Sequence, residues 1–315
     1  MVYSVVVPAY NEEDVITESY KRLTAVMQSI GESYELIFVN DGSRDRTAHI
    51  IAEMIQNDPH VRLISFTRNF GHMPAITAGM EYAEGDAVII IDADLQDPPE
   101  VLPDMAALWK KGYDVVYGKR KERKGETIFK EWSAKLFYRF INSMVPIDLP
   151  VDTGEFRLMD RKVCDAVNRL KEKHRYIRGL VSWVGFRQIA YEYVRVERFA
   201  GTTKYPLKKM MSFAMDAITA FSYKPLKLAT TLGFIISMCS FIYMIVILWQ
   251  RIFTDTTITG WTSTVWLILF TQGIVLMILG LMGEYIGRIF EEIKNRPVYM
   301  VREVLGYDKN DKDNI

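Results

Sequence analysis

The sequence predicts an α/β domain with a Rossmann-like, mostly parallel sheet, followed by interfacial amphipathic helices and a two-helix transmembrane hairpin. Three observations lead there. Short β-branched runs alternate with helical patterns through the first 118 residues, the signature of parallel strands joined by helical crossovers. One run, AVIII at 87–91, is apolar throughout, as a strand buried on both faces must be, and it ends directly in the carboxylates of Asp92 and Asp94. Two later stretches, 226–250 and 264–287, are apolar over the length needed to cross a bilayer, which takes about 20 residues.

In order, residues 2–7 form a β-rich run closed by Pro8, and Asn11, Glu12 and Glu13 open an amphipathic helix reaching about Ile30. Residues 2–8 lack the basic leader and apolar length of a signal peptide, so they read as a first strand. A second strand at 34–39 ends at Asn40-Asp41-Gly42-Ser43, a turn whose Asp and Ser suit the cap of a helix over 47–56. A third strand at 61–66 and a short helix at 75–83 precede the central strand. Pro98 and Pro99 then start a helix over 100–110, and 114–117 is a further short strand. The spacing is too short for an eight-unit barrel and suits a doubly wound sheet.

Basic and acidic side chains balance at 39 each, but they are segregated. Residues 1–118 carry 8 basic and 19 acidic side chains, residues 119–230 carry 24 and 12, and residues 231–315 carry 7 and 8. The basic section opens with KRKERKGE at 119–126 and runs into an amphipathic pattern over 128–144, with Trp132, Leu136, Phe137, Phe140 and Ile141 on its apolar side. A second pattern, 205–222, gathers Met210, Met211, Phe213, Ile218 and Phe221. Such stripes usually pack in cores. Their basic flanks and the apolar span that follows favour the bilayer surface instead, with anionic headgroups or a phosphorylated ligand as partners and no nucleic acid. Only Cys164 and Cys239 are present, so neither a disulfide framework nor a cysteine zinc site follows.

From Leu228 to Trp249 the first span has no charged side chain, and the second has only Glu284, four residues before Arg288. An ion pair at the interface accounts for that carboxylate. Lys204, Lys208, Lys209, Lys224 and Lys227 precede the first span, Arg288, Lys294, Arg296 and Arg302 follow the second, and Arg251 is the basic residue between them. The positive-inside rule therefore places both ends on the cytoplasmic side of the cell's inner (plasma) membrane. The expected division is a catalytic domain over 1–200, a juxtamembrane helix over 201–225, two transmembrane helices over 226–288 and a cytoplasmic tail over 289–315. Gly273, Gly280, Gly283 and Gly287 suit close helix contact, within the hairpin or in a homo-oligomer.

Asp92 and Asp94 stand at the carboxyl end of the central strand, where open α/β sheets bind ligands. Two such carboxylates converge readily on a hard divalent cation that keeps room for substrate phosphates. A polar turn ahead of Pro98 is the plainer alternative for Asp-x-Asp alone.

The chain resembles the family 2 glycosyltransferases, and among them the membrane-bound polyprenyl-phosphate enzymes related to dolichol-phosphate mannose synthase and the bacterial GtrB type. The matching stretches are VVVPAYNEE (5–13), VNDGSRDRT (39–47), RNFGH (68–72), IDADLQDPPE (91–100), VDTGEFRLMDR (151–161) and RFAGTTKYPLKKM (198–210). They occur in the family's order, ahead of two spans. The resemblance implies a GT-A fold, a UDP-sugar donor, a polyprenyl phosphate acceptor and Mg2+ or Mn2+. It places the nucleoside against Pro8, Tyr10, Glu12 and Asp41, the last with helix capping as a second role. The metal falls to Asp92 and Asp94, with Gln96 as an oxygen ligand or orienting group. Arg120 falls to the donor diphosphate, and Arg123, Lys135, Arg198 and Lys204 to the acceptor phosphate. Asp94, Asp152, Glu155 and Arg157 form the implied catalytic group. Glu155 stands where the family often has Asp, proposed there as a base. A phosphate acceptor with a second pKa of about 6 is already mostly dianionic, so acceptor positioning or metal support is the main reading for Glu155 and Asp152. His72 belongs to a loop that positions the donor or the next helix, and Met73-Pro74 departs from the family pattern.

The expected reaction is inverting transfer of glucose or N-acetylglucosamine from the UDP-sugar to polyprenyl phosphate. Its product would supply a flippase and an external glycosyltransferase that decorates a surface polymer. Two alternatives stay open: a processive polysaccharide synthase, whose Gln-x-x-Arg-Trp motif and additional spans are not visible, and an inactive nucleotide-binding membrane scaffold.

Overall fold

The computed structural model describes residues 1–121, 153–195, 224–253 and 260–307. The expected site residues Arg123, Lys135, Asp152, Arg198 and Lys204, both amphipathic segments and the polar end from 308 lie outside the described residues.

The strands are β1 (Tyr3–Ala9), β2 (Tyr34–Asn40), β3 (Val61–Phe66), β4 (Ala87–Ile90), β5 (Val115–Arg120), β6 (Thr153–Asp160), β7 (Gln188–Tyr193) and β8 (Val301–Leu305). They form one sheet in the order β7-β5-β6-β4-β1-β2-β3-β8. β1 pairs in parallel with β2 and β4, β2 with β3, and β5 with β7. Strand β6 runs antiparallel between β4 and β5, and β8 antiparallel beside β3. The sheet is thus mostly parallel, as expected, with one reversed strand in its interior.

Alternation along the strands sends side chains into two apolar layers. Val5, Val7 and Ile89 pack with α1 (Ile16–Ile30), α2 (Thr47–Asn57) and α4 (Leu102–Lys110) through Leu23, Met27, Ile51 and Met105. Val6, Ile37 and Ile90 face α3 (His72–Tyr82), α5 (Arg161–Asn168) and α6 (Ile177–Trp183) through Ile76, Val163 and Leu180. α3 lies so close that a Cβ on Gly79 would fall 2.1 Å from Val6 Cγ1. Cys164 is buried in this second layer, where burial pushes its thiol up to about 12 and makes it inert.

Three local expectations are corrected. Pro8 does not close β1, which continues to Ala9. Val2 and Val6 offer their carbonyls towards β4, to Ala87 and Ile91, so Pro8 has its missing N–H on that same side. β4 pairs with β1 only as far as Val6, and the proline therefore interrupts no ladder bond. Helix α1 starts at Ile16 instead of Asn11, because residues 11–13 are bound to the loop after β2. Helix α3 starts at His72 instead of Ala75, since Pro74 in a first turn lacks only an N–H that has no partner within the helix.

α7 (Lys224–Phe253) and α8 (Trp261–Lys294) contain segments long and apolar enough to cross a membrane, Lys224–Tyr243 and Phe270–Lys294, each with mean hydropathy 1.6. Their described side chains are largely exposed, unlike those of a soluble core helix. Glu284 pairs with Arg288 at 3.2 Å, as the spacing predicts. Beyond α8 the chain returns to the sheet as β8, which hydropathy and composition did not reveal.

Candidate active site

Strands β1, β2 and β4 end side by side, and the loops leaving them enclose a cleft of about 370 Å³. Its lining includes Pro8, Tyr10, Glu12, Asp41, Asn69, Gly71, His72, Asp92 and Asp94. The six expected donor-site residues from the first two strands and the Asp-x-Asp turn thus meet in one place. The loops are clasped together. Asn11, in a left-handed conformation at φ 55°, accepts through Oδ1 from Arg44 N (2.9 Å), while its own N–H donates to Ser43 Oγ (3.0 Å). Glu12 N donates to Thr47 Oγ1 (2.8 Å), and Glu13 accepts from Arg46 N (3.0 Å). The Asn11 amide, the Glu12 backbone and the Glu13 carboxylate therefore brace a wall of the cleft.

Asp41 is buried and accepts from Phe70 N (2.6 Å) and Gly71 N (2.9 Å). It ties the loop 68–71 to the end of β2 at the entry to α3, and does not cap α2. Burial raises its pKa against the pull of these two amides and of His72 and Arg68. The adjoining Gly42, at φ 67°, has no room for a side chain, since a Cβ would fall 2.4 Å from the Arg68 carbonyl carbon.

At the end of β4, Asp94 accepts from Gln96 N (3.1 Å) across Leu95, whose φ of 59° is left-handed. Gln96 is half-buried beside the cleft and does not line it. His72 Nε2 lies 3.5 Å from Asp92 Oδ1, too long for a good hydrogen bond, and that oxygen is buried with no hydrogen-bond partner. Burial pushes the Asp92 carboxyl up to about 6, helped by Asp97, Asp94 and Glu155 and opposed by His72. Such a group suits a divalent cation held by one or two carboxylates with the remaining positions left to phosphate and water. No cluster of three acidic, histidine or cysteine side chains able to hold a metal alone occurs among the described residues.

Asp97, which sequence reasoning left without a role, anchors this turn. It is 1 % exposed, accepts from the Tyr193 hydroxyl and lies 3.8 Å from Arg195 Nε. Tyr193 also bonds to Arg120, whose guanidinium lies against Gly154: a Cβ there would meet Nη2 at 2.9 Å. Arg120 Nε is buried without a hydrogen-bond partner. Arg120 is therefore beside the Asp-x-Asp turn, on the β5–β6 side, and outside the cleft lining.

On β6, Glu155 is buried between two guanidiniums, Arg178 Nε at 2.7 Å and Arg157 Nη2 at 3.2 Å. Burial pushes its pKa up, but Arg178, Arg157 and His72 together hold it below the ordinary glutamate value. Arg157 also donates to the carbonyls of Gly154 and Glu155, and Arg178 to that of Thr153 (2.6 Å). Arg178 also carries no local signal, because neither arginine of HRYIRG (174–179) announces a partner 23 residues earlier.

An α/β sheet with a ligand-sized cleft and paired carboxylates at the carboxyl ends of its parallel strands defines an open α/β enzyme of the Rossmann-like class, with its ligand site at the strand ends. The sequence profile described as "Glycosyl transferase family 2" matches residues 4–167, and the chain belongs to that family. It is 58 % identical over 306 residues to the uncharacterized glycosyltransferase YkcC of Bacillus subtilis (strain 168), covering 97 % of this chain and 95 % of the relative. It is 40 % identical over 303 residues to the bactoprenol glucosyl transferase of Shigella phage SfII, covering 96 % and 98 %. Among solved structures, S. aureus TarS 1–349 is similar over 61 % of this chain and 58 % of its own, with 21 % identity and a TM-score of 0.45.

Proposed function

We propose that this enzyme transfers a sugar from a UDP-sugar to polyprenyl phosphate, releasing UDP and leaving a β-linked polyprenyl-phosphate sugar. One observation carries the reading: the wall formed by Pro8, Tyr10, Glu12 and Asp41 shares a cleft with Asp92 and Asp94, on a chain that also has two span-length apolar helices. The name of the phage relative, a bactoprenol glucosyl transferase, supports glucose as the sugar and a bactoprenol carrier as the acceptor. N-acetylglucosamine is the second candidate donor sugar in this reading.

In this reading the nucleoside lies against Pro8, Tyr10 and Glu12, with Asp41 holding the loop 68–71 across it. Asp92 and Asp94 would hold Mg2+ or Mn2+, which supplies charge neutralisation on the departing diphosphate. Arg120, fixed by Tyr193, adds a guanidinium near that charge. An oxygen of the acceptor phosphate forms the new bond to the anomeric carbon from the face opposite the leaving group. The old C1–O bond breaks, and its electron pair leaves on UDP. The configuration inverts, and no proton need be removed, because the acceptor is mostly dianionic at neutral pH. Glu155, neutralised by two guanidiniums, positions the β6 side of the site and is poorly suited to act as a base. The basic segments holding Arg123, Lys135, Arg198 and Lys204 receive the acceptor's phosphate at headgroup depth, with the catalytic domain and C-terminus on the cytoplasmic side of the inner membrane. A flippase and an external glycosyltransferase then use the product.

The test is UDP release by the detergent-purified chain offered UDP-glucose, UDP-N-acetylglucosamine or UDP-galactose, with and without undecaprenyl phosphate and Mn2+. Release that requires lipid phosphate and metal is the expected result. Lipid-independent release points to hydrolysis or another acceptor, and no binding of UDP overturns the donor assignment.

A further inference from the structure

The donor-side loop 68–71 is gripped from outside the cleft by the segment that follows α8. The Tyr299 ring stacks on Phe66 at 4.9 Å and an interplanar angle of 14°, and Phe66 meets Phe70 edge-on at 5.7 Å. The Tyr299 hydroxyl donates to Glu81 on α3. Thr67 N donates to Met300 O (3.0 Å), and Arg302 Nη2 donates to Thr67 O (3.1 Å). The loop's entry at Phe66–Thr67 and the helix that receives it are therefore both fixed by residues 299–302. Between those fixed points lie the Phe70 and Gly71 amides that bind Asp41, and Asn69, Gly71 and His72 of the cleft lining.

We infer that Tyr299, with Met300 and Arg302 beside it, is a positioning element for the nucleotide half of the donor site. It acts through Phe66 and Phe70 on the loop that Asp41 holds. A residue more than 200 positions along the chain, beyond the second apolar helix, thereby sets the shape of the donor cleft. The inference rests on the donor reading above.

The experiment uses the full chain in detergent, with UDP affinity measured calorimetrically in Mn2+ and the Michaelis constants of UDP-glucose and undecaprenyl phosphate measured in turnover. Tyr299→Ala removes both stack and hydroxyl and should raise the UDP dissociation constant and donor KM about tenfold, with the acceptor KM within twofold of wild type. Tyr299→Phe keeps the stack and should recover most of that loss. Arg302→Met, at an exposed position, gives a second reading if Tyr299→Ala does not fold, and should raise donor KM about threefold. Unchanged UDP affinity in Tyr299→Ala and Arg302→Met overturns the inference, as does an equal rise in both Michaelis constants. A wild-type chain that binds no UDP overturns the donor reading itself.

Discussion

The ends of β4 and β6 put carboxylates into one electrostatic neighbourhood under opposite conditions. At β4, Asp92 has a buried oxygen without a hydrogen-bond partner, and its pKa is pushed up to about 6 by burial and neighbouring acids. At β6, Glu155 is more deeply buried, yet Arg178 and Arg157 keep it ionised and its pKa low. The first carboxylate has no hydrogen-bonded counter-charge among the described residues, and the second is already paired with two. Carboxylates in an active site therefore cannot be assigned roles by proximity alone; the charge already paired with each decides what it can do.

Substitutions at each site sharpen that contrast. Asp94→Ala should lower the rate of lipid-dependent UDP release by about 10³-fold or more, while leaving the fold intact by melting profile. Retained turnover would remove the Asp-x-Asp turn from the chemistry. Glu155→Gln should cost about 3 kcal/mol of stability, because it leaves the buried Arg157 and the half-buried Arg178 without their counter-charge. The folded pKa of Glu155 lies below its ordinary value of 4.5, so its stabilisation is complete above that pH and is lost as pH falls through the folded value. The melting difference between wild type and variant should thus close below about pH 4.5. Full stability with lost turnover would instead make Glu155 the base.

Asp92 gives the opposite sign. Its folded pKa is raised from 3.8 to about 6, so the ionised group destabilises the metal-free fold above pH 6 and ceases to do so below about pH 4. Its side chain is 33 % exposed, and after solvent screening Asp92→Asn should stabilise metal-free protein by about 1–2 kcal/mol at pH 8 and by little at pH 4. A destabilised variant at pH 8 would erase the contrast with Glu155. The smallest effect is expected from Tyr193→Phe, which keeps the ring against Phe156 and deletes the hydroxyl on Asp97, costing about 1 kcal/mol in a melting experiment. A cost as large as that of Glu155→Gln would make the Asp97 anchor an equal partner in holding the site.

Much of this arrangement was legible in the sequence, because it rests on local signals. β3 matches the predicted 61–66, α2 differs by one residue, and Asp92 and Asp94 fall at a strand's carboxyl end because an all-apolar run before a carboxylate has few other solutions. What escaped depends on neighbours distant in the chain. Pro8 fits inside β1 only because β4 has already ended beside it. The reversed direction of β6, the Arg178 grip on Glu155 and the Tyr193 anchor under Asp97 join segments whose own periodicity says nothing about each other. Asp41 was visible as a site residue, but the backbone amides it holds were not. VREVL after a long helix is too short to announce a strand; it becomes one because β3 offers it a free row of amides and carbonyls.

That last strand also governs how the molecule behaves among copies of itself. Cut after Lys294, the chain would bare one side of β3, a run of Val61, Leu63, Ile64 and Phe66 with Arg62 as its one charge, and the vacated backbone would serve as a template for a strand from another molecule. In the intact chain that position is filled by a five-residue strand that carries two exposed charges, Arg302 and Glu303, and these discourage further addition. A soluble fragment made by trimming away the hairpin and everything after it would lose its protection against aggregation along with its anchor.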